Sequence, residues 1–327
     1  MTETDDIIID VHGLQKKFFL NEEYGNLFKR LFQKKLKEIS AIDDIDFKIR
    51  HGEKVAVLGK NGAGKTTLIK ILCGILTQTQ GSVCVMGYHP NQDRYQYSYH
   101  IGVVLGQKSL LWYNIPVMES LKLYKEIYEI NEEQFKSRIE LFDTIFDIRK
   151  LLYTPVRKLS LGQRMKCEIV AALLHNPEIL FLDEPTIGLD VLSKQQIYEL
   201  LEKVNHTFKT TIILTTHNIS DVERLCDRVI LIDKGKVLFD NRKEELLELD
   251  TKKTIVIKGN VCFDEDVSSY IVSSNEEIKE YILRCEKKNV SDMIKRLKEI
   301  PEGSDIEIRG ADLETILARI YKGDIVV

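Results

Sequence analysis

Short, mostly apolar runs recur along the first three quarters of the chain, and segments with helical spacing separate them. Runs of this length, bounded by turn residues, are typical of strands that are buried on both faces of a parallel sheet. They lie at Val55–Leu58, Ile101–Gln107, Glu178–Leu182, Thr210–His217 and Asp227–Asp233. Because such strands alternate with helices, the pattern predicts an α/β fold.

Four other segments predict strands at the margins of this core. Ile7–Val11 and Gly81–Met86 have strand-like composition, and Ala41–Ile49 alternates apolar and polar residues as a half-exposed strand does. Lys236–Phe239 is expected to form an edge hairpin with the apolar run that precedes it.

A helical block interrupts the strand pattern over residues 110–158. Val117–Glu129 and Asn131–Phe146 have helical spacing, and Pro116 suits the first turn of a helix. The sequence therefore predicts a helical subdomain inserted into a first domain of residues 1–249.

The pattern changes over residues 250–327, which predict a small α+β domain. Strand-like alternation and helical spacing occur at Thr254–Ile257, Tyr281–Cys285, Asp305–Ile308, Ser291–Ile300 and Ala311–Tyr321. This part carries no recognisable catalytic motif, and a regulatory or dimer-stabilising role is the hypothesis for it.

Residues 24–40 predict a basic amphipathic helix. Apolar residues recur at helical spacing on one face, and basic residues fill the other: Leu27, Phe28, Leu31, Phe32, Leu36 and Ile39, then Lys29, Arg30, Lys34, Lys35 and Lys37. Such a helix lies against an anionic membrane or a partner protein, or it packs on the sheet with a solvated basic face. Both interpretations stay open at this point.

Composition narrows the class of protein. A length of 327 residues favours two domains, and a formal net charge of −4 gives no global attraction to nucleic acid or anionic lipid. The six cysteines are scattered without a Cys-x-x-Cys pair, which indicates buried thiols in a reducing compartment. No stretch is long and apolar enough for a membrane span, so we expect any spans to belong to another chain.

The stretch Gly59–Thr66 has the pattern of a phosphate-binding loop, in which Gly and four further residues precede Gly-Lys-Thr. It lies between an apolar run and a helix-like run. The loop and the first residues of the helix are Gly59, Lys60, Asn61, Gly62, Ala63, Gly64, Lys65, Thr66 and Thr67. Backbone N–H groups and the helix N-terminus attract phosphate. Lys65 is expected to reach the β- and γ-phosphates and Thr66 to hold Mg²⁺; the alternative is a glycine-rich turn.

Polar residues end three of the predicted buried strands. Asp183 and Glu184 follow one run at the end where open α/β sheets bind ligands. Asp183 is predicted to hold Mg²⁺, directly or through water, and Glu184 to polarise the water that attacks the γ-phosphate. Gln107 is expected to contact the metal or that water, and His217 to donate to a phosphate oxygen. The alternatives are acids that cap a helix and a structural histidine.

Together these motifs resemble the ATP-binding subunits of ABC transporters over roughly residues 5–245. They occur in the family's order: the loop 59–66, Gln107, the signature 159–163, the run 179–185, Gly188–Asp190 and His217. The resemblance implies a P-loop NTPase fold of the ABC nucleotide-binding type, with the helical subdomain inserted and the small α+β domain appended. Gly106–Trp112 and Val156–Gly162 resemble the drug and antibiotic exporters that include the daunorubicin and viologen types.

The resemblance also implies how the residues act. ATP and Mg²⁺ lie between the phosphate loop of one subunit and the signature of a second, where Ser160 and Gly162 contact the γ-phosphate and Gln163 completes the motif. Asp190 lies at the seam of the dimer and couples the two sites. Leu161 departs from the glycine that the family usually has in the signature.

One aromatic residue is expected to bind adenine. Phe18 holds the position at which the family stacks an aromatic ring on the base, and any aromatic face can stack in this way. The alternative is that Phe18 and Phe19 are ordinary core residues.

The partners follow from the resemblance as well. We expect a permease on a separate chain, an ATPase dimer and a place on the cytoplasmic face of the membrane, with no nucleic acid. The favoured function is export of a small or drug-like molecule. An importer ATPase and a non-transport ABC ATPase acting on nucleic acid or ribosomes are the alternatives.

Overall fold

The computed structural model describes residues 6–21, 36–106, 109–250, 252–259, 265–275, 279–296, 304–310 and 312–325. The chain divides into two compact units, Met1–Asn241 and Arg242–Val327. The division lies at residue 241, whereas the sequence pattern placed it at residue 249.

In the part of the first unit that the structure describes, nine strands form two sheets. They are β1 (Ile7–Asn21), β2 (Leu36–Arg50), β3 (Lys54–Leu58), β4 (Gln80–Val85), β5 (Ile101–Leu105), β6 (Ile179–Asp183), β7 (Thr211–Thr216), β8 (Arg228–Asp233) and β9 (Lys236–Arg242). One sheet has three strands in the order β2-β1-β4, and both of its pairings are antiparallel. The other has six strands in the order β5-β6-β7-β3-β8-β9. The first five strands in this order run parallel to one another.

The strand β2 corrects the prediction of a helix over residues 24–40. It begins at Leu36 and pairs with β1, with Ile39 opposite Phe18. The helix prediction is therefore wrong for residues 36–40, because backbone groups that a helix would satisfy internally bond across to β1 instead. Residues 24–35 lie outside the described part of the chain.

Helices of the first unit fill the connections between strands. They are α1 (Lys65–Leu72), α2 (Arg94–Ser98), α3 (Val117–Ile127), α4 (Glu132–Phe146), α5 (Arg149–Leu152), a 3₁₀ turn (Val156–Lys158), α6 (Leu161–Leu173), α7 (Val191–Phe208) and α8 (Ile219–Leu225). Four of these, α3 to α6, follow one another between β5 and β6. The fold thus places a run of helices inside the α/β unit.

A buried core joins the two sheets of the first unit. Buried side chains from both sheets and from α1 contribute to it, among them Val11, Ile45, Val57, Ile69, Phe181 and Ile213. Every residue of β6 and β7 is buried, which explains why both strands read as continuous runs. Because β6, β7 and β3 are parallel neighbours, the segments that follow them meet at one edge of the sheet.

The described residues of the second unit form a four-stranded antiparallel sheet with helices. Its elements are α9 (Lys243–Glu248), β10 (Lys252–Lys258), α10 (Glu265–Ser268), β11 (Ile271–Asn275), β12 (Glu280–Glu286), a 3₁₀ turn (Lys287–Asn289), α11 (Val290–Arg296), β13 (Asp305–Gly310) and α12 (Leu313–Lys322). The strand order is β11-β12-β10-β13. The buried Asp250 carboxylate binds Arg284 and Arg319, each at 2.7 Å. The sequence pattern missed β11, whose residues are mostly exposed.

Candidate functional site

The phosphate loop connects β3 to α1 and lies against the other sheet. Gly64 has a φ of 110°, and a Cβ atom there would lie 2.5 Å from the Ala41 carbonyl oxygen of β2. Only glycine suits this backbone and this close approach. The turn between β8 and β9 contacts both the phosphate loop and β2. Gly235 donates its N–H to the Ala63 carbonyl of the loop at 3.0 Å, and its carbonyl accepts from the Asp43 N–H of β2 at 2.8 Å.

The side chain of Lys65 contacts the backbone of the phosphate loop. Its Nζ donates to the carbonyl oxygens of Gly59 at 2.7 Å and Lys60 at 3.1 Å, and its side chain is 5% exposed. Burial lowers the pKa of Lys65, and the nearby carboxylates of Glu184 and Asp183 act against that shift. The ammonium group is therefore held inside the loop, where phosphate is expected.

Oxygen atoms suited to Mg²⁺ meet at the end of β6. Thr66 Oγ1 donates to Asp183 Oδ1 at 3.1 Å, and Thr215 Oγ1 of β7 donates to the same oxygen at 2.5 Å. A hydroxyl and a carboxylate are ligands that Mg²⁺ accepts beside phosphate oxygens. The residues present therefore fit that ion, and Thr66 and Asp183 are the side chains that could hold it.

Glu184 and His217 form a pair next to these oxygens. Glu184 Oε1 lies 3.1 Å from His217 Nδ1 and 3.8 Å from Lys65 Nζ. Glu184 has a φ of 52°, which is uncommon for a residue with a side chain and concentrates at functional sites. Its N–H donates to both the carbonyl and the hydroxyl oxygen of Thr215, each at 3.1 Å.

A cavity of about 420 Å³ opens at this edge of the sheet. Its lining consists of Ala41, Asn61, Gly62, Gly64, Lys65, Thr66, Thr67, Gly106, Asp183, Glu184 and Ile187. Gln107 lies outside the described residues, directly after Gly106. Within the described part of the chain, Phe18 does not line the cavity; it lies in β1, where Lys16 Nζ is 5.0 Å from the centre of its ring.

The signature residues and Asp190 form a second group. Ser160 Oγ accepts from the Gln163 N–H at 3.2 Å, and Gln163 Oε1 accepts from the Ser160 N–H at 3.0 Å, so the two residues cap α6. Gly162 approaches Ser193 of α7 so closely that a Cβ atom would lie 2.5 Å from Ser193 Oγ. Ser193 in turn bonds to Asp190 through its N–H and hydroxyl, and these bonds lower the pKa of Asp190.

Sequence reasoning missed several buried hydroxyl groups behind the site. Thr215 bonds to Asp183 and to the backbone of Glu184, while Thr216 bonds to the buried Asp221. The available signal was a pair of threonines at the end of an apolar strand, next to His217. Fully buried hydroxyls need partners, so their position could have indicated a contact with the acids of the neighbouring strand.

Comparison with known proteins agrees with the geometry. Residues 42–187 match the family described as ABC transporter. The chain is 34% identical over 226 residues to the ABC transporter ATP-binding protein NatA of Bacillus subtilis, which covers 69% of this chain and 92% of NatA. It is 30% identical over 214 residues to the daunorubicin resistance ATP-binding protein DrrA3 of Streptomyces coeruleorubidus, covering 65% of this chain and 67% of DrrA3.

A solved structure shares the fold. The cbiO1 protein of Clostridium perfringens, described as part of the ABC transporter complex cbiONQ, superposes with a TM-score of 0.62 at 26% identity and covers 74% of this chain and 91% of cbiO1. The phosphate loop, the acids that end β6 and these relatives all agree with the predicted P-loop NTPase fold. The chain belongs to the ABC transporter family, as an ATP-binding subunit that hydrolyses ATP with Mg²⁺.

Proposed function

We propose that this chain drives the export of a small, drug-like molecule through a permease on a separate chain. It acts as a homodimer with two composite ATP sites on the cytoplasmic face of the membrane. The observation that carries the ATP-driven part of the proposal is the convergence of the phosphate loop, Asp183, Glu184 and His217 at one edge of the parallel sheet.

Glu184 serves as the base for hydrolysis. Its carboxylate takes a proton from the water that attacks the γ-phosphorus, and the bond to the bridging oxygen breaks to give ADP and phosphate. His217 and Lys65 both face Glu184 Oε1, at 3.1 and 3.8 Å, which orients the carboxylate. When phosphate binds, Lys65 exchanges carbonyl partners for phosphate oxygens.

Thr66 and Asp183 would hold Mg²⁺, and Gln107 is proposed to join them or to contact the attacking water. When bound, the ion would supply positive charge that offsets the negative charge of the phosphates. Thr215 keeps the Asp183 carboxylate in place through its 2.5 Å hydrogen bond.

The dimer explains the position of the second group. Outside the lining of the cavity lie Ser160, Gly162, Gln163 and Asp190, and in the proposed dimer they meet the ATP of a second copy. Apolar side chains beside them are exposed: Leu161 at 41%, Ile187 at 52%, Val191 at 83% and Leu192 at 76%. Exposed apolar residues grouped in this way favour a protein contact.

The permease is proposed to contact a groove between the core and the helical block. The groove has a volume of about 560 Å³, and Ile75, Tyr95, Leu110 and Tyr124 are among the residues that line it. Its apolar and aromatic lining suits an inserted helix or loop. Among the described residues, no helix is both long enough and apolar enough to cross a membrane.

Similarity to a daunorubicin resistance protein supports export. The test is drug transport by this chain and its permease in inverted membrane vesicles, with the vesicle lumen corresponding to the outside of the cell. ATP-dependent accumulation of daunorubicin, lost in Glu184→Gln, supports the proposal. ATP-driven loss of preloaded drug would instead assign import. Equal rates of drug accumulation in the wild type and in Glu184→Gln would show that transport does not depend on ATP hydrolysis.

A further inference from the structure

A buried carboxylate behind the site lies outside every motif described above. Asp221 is in the first turn of α8 and is 1% exposed. It accepts hydrogen bonds from three hydroxyl groups: those of Thr186 at 2.9 and 2.8 Å, Tyr198 at 2.6 Å and Thr216. The three donors are also buried, at 4%, 6% and 2% exposure.

The donors come from three elements that carry residues of the site. Thr186 lies two residues after Glu184, and Thr216 lies one residue before His217. Tyr198 belongs to α7, the helix that Asp190 caps. One carboxylate thus bonds to both segments that present the Glu184–His217 pair.

The chemistry of these contacts favours a fixed arrangement. Burial, together with the hydrogen bond to Asp221, raises the pKa of Tyr198, so its hydroxyl keeps the proton that it donates. Hydrogen bonds to a charged acceptor are stronger than neutral ones, and a buried carboxylate that loses them is left with an uncompensated charge. Each loop is therefore held more tightly than a surface contact could hold it.

From this network we infer that Asp221 is a positioning residue for ATP hydrolysis. It holds the segment after Glu184 and the end of the strand before His217 at fixed positions relative to each other. This arrangement keeps His217 in contact with Glu184 Oε1. Asp221 is not among the residues that line the cavity, so we expect it to act through the two segments that it bonds to. The inference rests on the proposed roles of Glu184 and His217.

The first test is Asp221→Asn in the full-length protein, with ATPase kinetics, equilibrium ATP binding and urea unfolding measured together. We expect kcat to fall by about 10- to 100-fold, since small displacements of reacting groups cost about that much. The ATP dissociation constant should stay within about twofold, because the phosphate loop is not altered. The matched control is Asp250→Asn, which removes a buried carboxylate from the second unit; it should lower stability and leave kcat unchanged.

A second pair of variants keeps the test decisive if Asp221→Asn does not fold. Thr186→Ser retains the hydroxyl that bonds to Asp221, whereas Thr186→Val removes it. We expect a kcat near that of the wild type for Thr186→Ser, and for Thr186→Val the same decrease in kcat as for Asp221→Asn. Equal kcat values in the two variants would overturn the inference.

Comparison with Glu184→Gln separates this inference from the proposed function. If Glu184→Gln lowers kcat by about 10²- to 10⁴-fold and Asp221→Asn leaves kcat unchanged, only the role of Asp221 is wrong. If Glu184→Gln hydrolyses ATP normally, the assigned base is wrong. In the Glu184→Gln background, Asp221→Asn should change the residual single-turnover rate by less than about twofold, because residues that act as a unit are not additive. If Asp221→Asn lowered that rate by a further factor of about 10 to 100, as expected for kcat in the wild-type background, the inference would be overturned.

Discussion

At the scale of single residues, the site depends on hydroxyl groups as much as on charges. Thr215 donates to Asp183 and accepts from the Glu184 N–H, so one side chain connects the expected metal ligand with the expected base. The motif residues were readable from sequence because their order and spacing are specific. Thr215 and Asp221 were not, because their partners are distant in the chain.

Glu184→Gln removes the proton acceptor and keeps the shape of the side chain. We expect kcat to fall by about 10²- to 10⁴-fold, the usual contribution of a general base, with ATP affinity retained. Steady-state ATPase and equilibrium nucleotide binding check this. Glu178→Gln, the same substitution in an exposed residue just before β6, is the control and should leave kcat unaltered.

Thr215→Val removes both hydrogen bonds of a fully buried hydroxyl. The free energy of unfolding should drop by about 1–3 kcal/mol, the cost of leaving buried groups unpaired. The Mg²⁺ concentration needed for half-maximal ATPase should rise, since Asp183 loses its support. Thr211→Val on the same strand removes a bond to the Gly52 N–H at 2.9 Å and should cost stability alone. A Mg²⁺ dependence that shifts equally in both variants would contradict the assignment.

At the scale of elements, local patterns succeeded where the signal was local. The start of α3 at Val117 follows from residues within one turn, because Pro116 directly precedes it. The predicted helix failed at residues 36–40 because apolar spacing cannot show that β1 pairs with this segment. The exposed strand β11 was missed for a related reason, since an edge strand has little apolar alternation to read.

Ser160→Ala tests whether the signature has a role beyond capping. Loss of an N-cap costs about 0.5–2 kcal/mol in the free energy of unfolding. Asn131→Ala is the matched control, because Asn131 caps α4 by accepting from the Gln134 N–H at 2.8 Å. We expect similar losses of stability in urea unfolding, and a lower ATPase rate for Ser160→Ala only. Equal ATPase rates in the two variants would limit Ser160 to capping.

At the scale of the whole first unit, an aromatic contact joins the helical block to the core. The ring of Tyr128, just after α3, stacks on His175, which follows α6, with ring centres 3.9 Å apart. His175 Nε2 donates to the Ile101 carbonyl at 2.9 Å. Burial lowers the pKa of His175 to about 4, and the nearby Arg138 acts in the same direction.

This shift predicts how stability depends on pH. An unfolded histidine has a pKa of about 6.5, so the unfolded chain takes up a proton between pH 6.5 and 4 that the folded chain does not. Stability should therefore fall as the pH drops through that window, by up to about 3 kcal/mol from this residue. Urea unfolding of His175→Gln should show a shallower pH dependence than wild type. The exposed His206→Gln is the control, and a slope that His175→Gln leaves unchanged would contradict the prediction.

The junction between β2 and the phosphate loop has a consequence for which substitutions the protein tolerates. The contacts there use main-chain atoms: the Ala41 carbonyl beside Gly64, and the Asp43 N–H on Gly235. Main-chain contacts do not depend on which side chain is attached. A library of random variants should therefore be permissive at position 43 and strict at position 64, so that variation among relatives in β2 says little about how firmly this strand is bound.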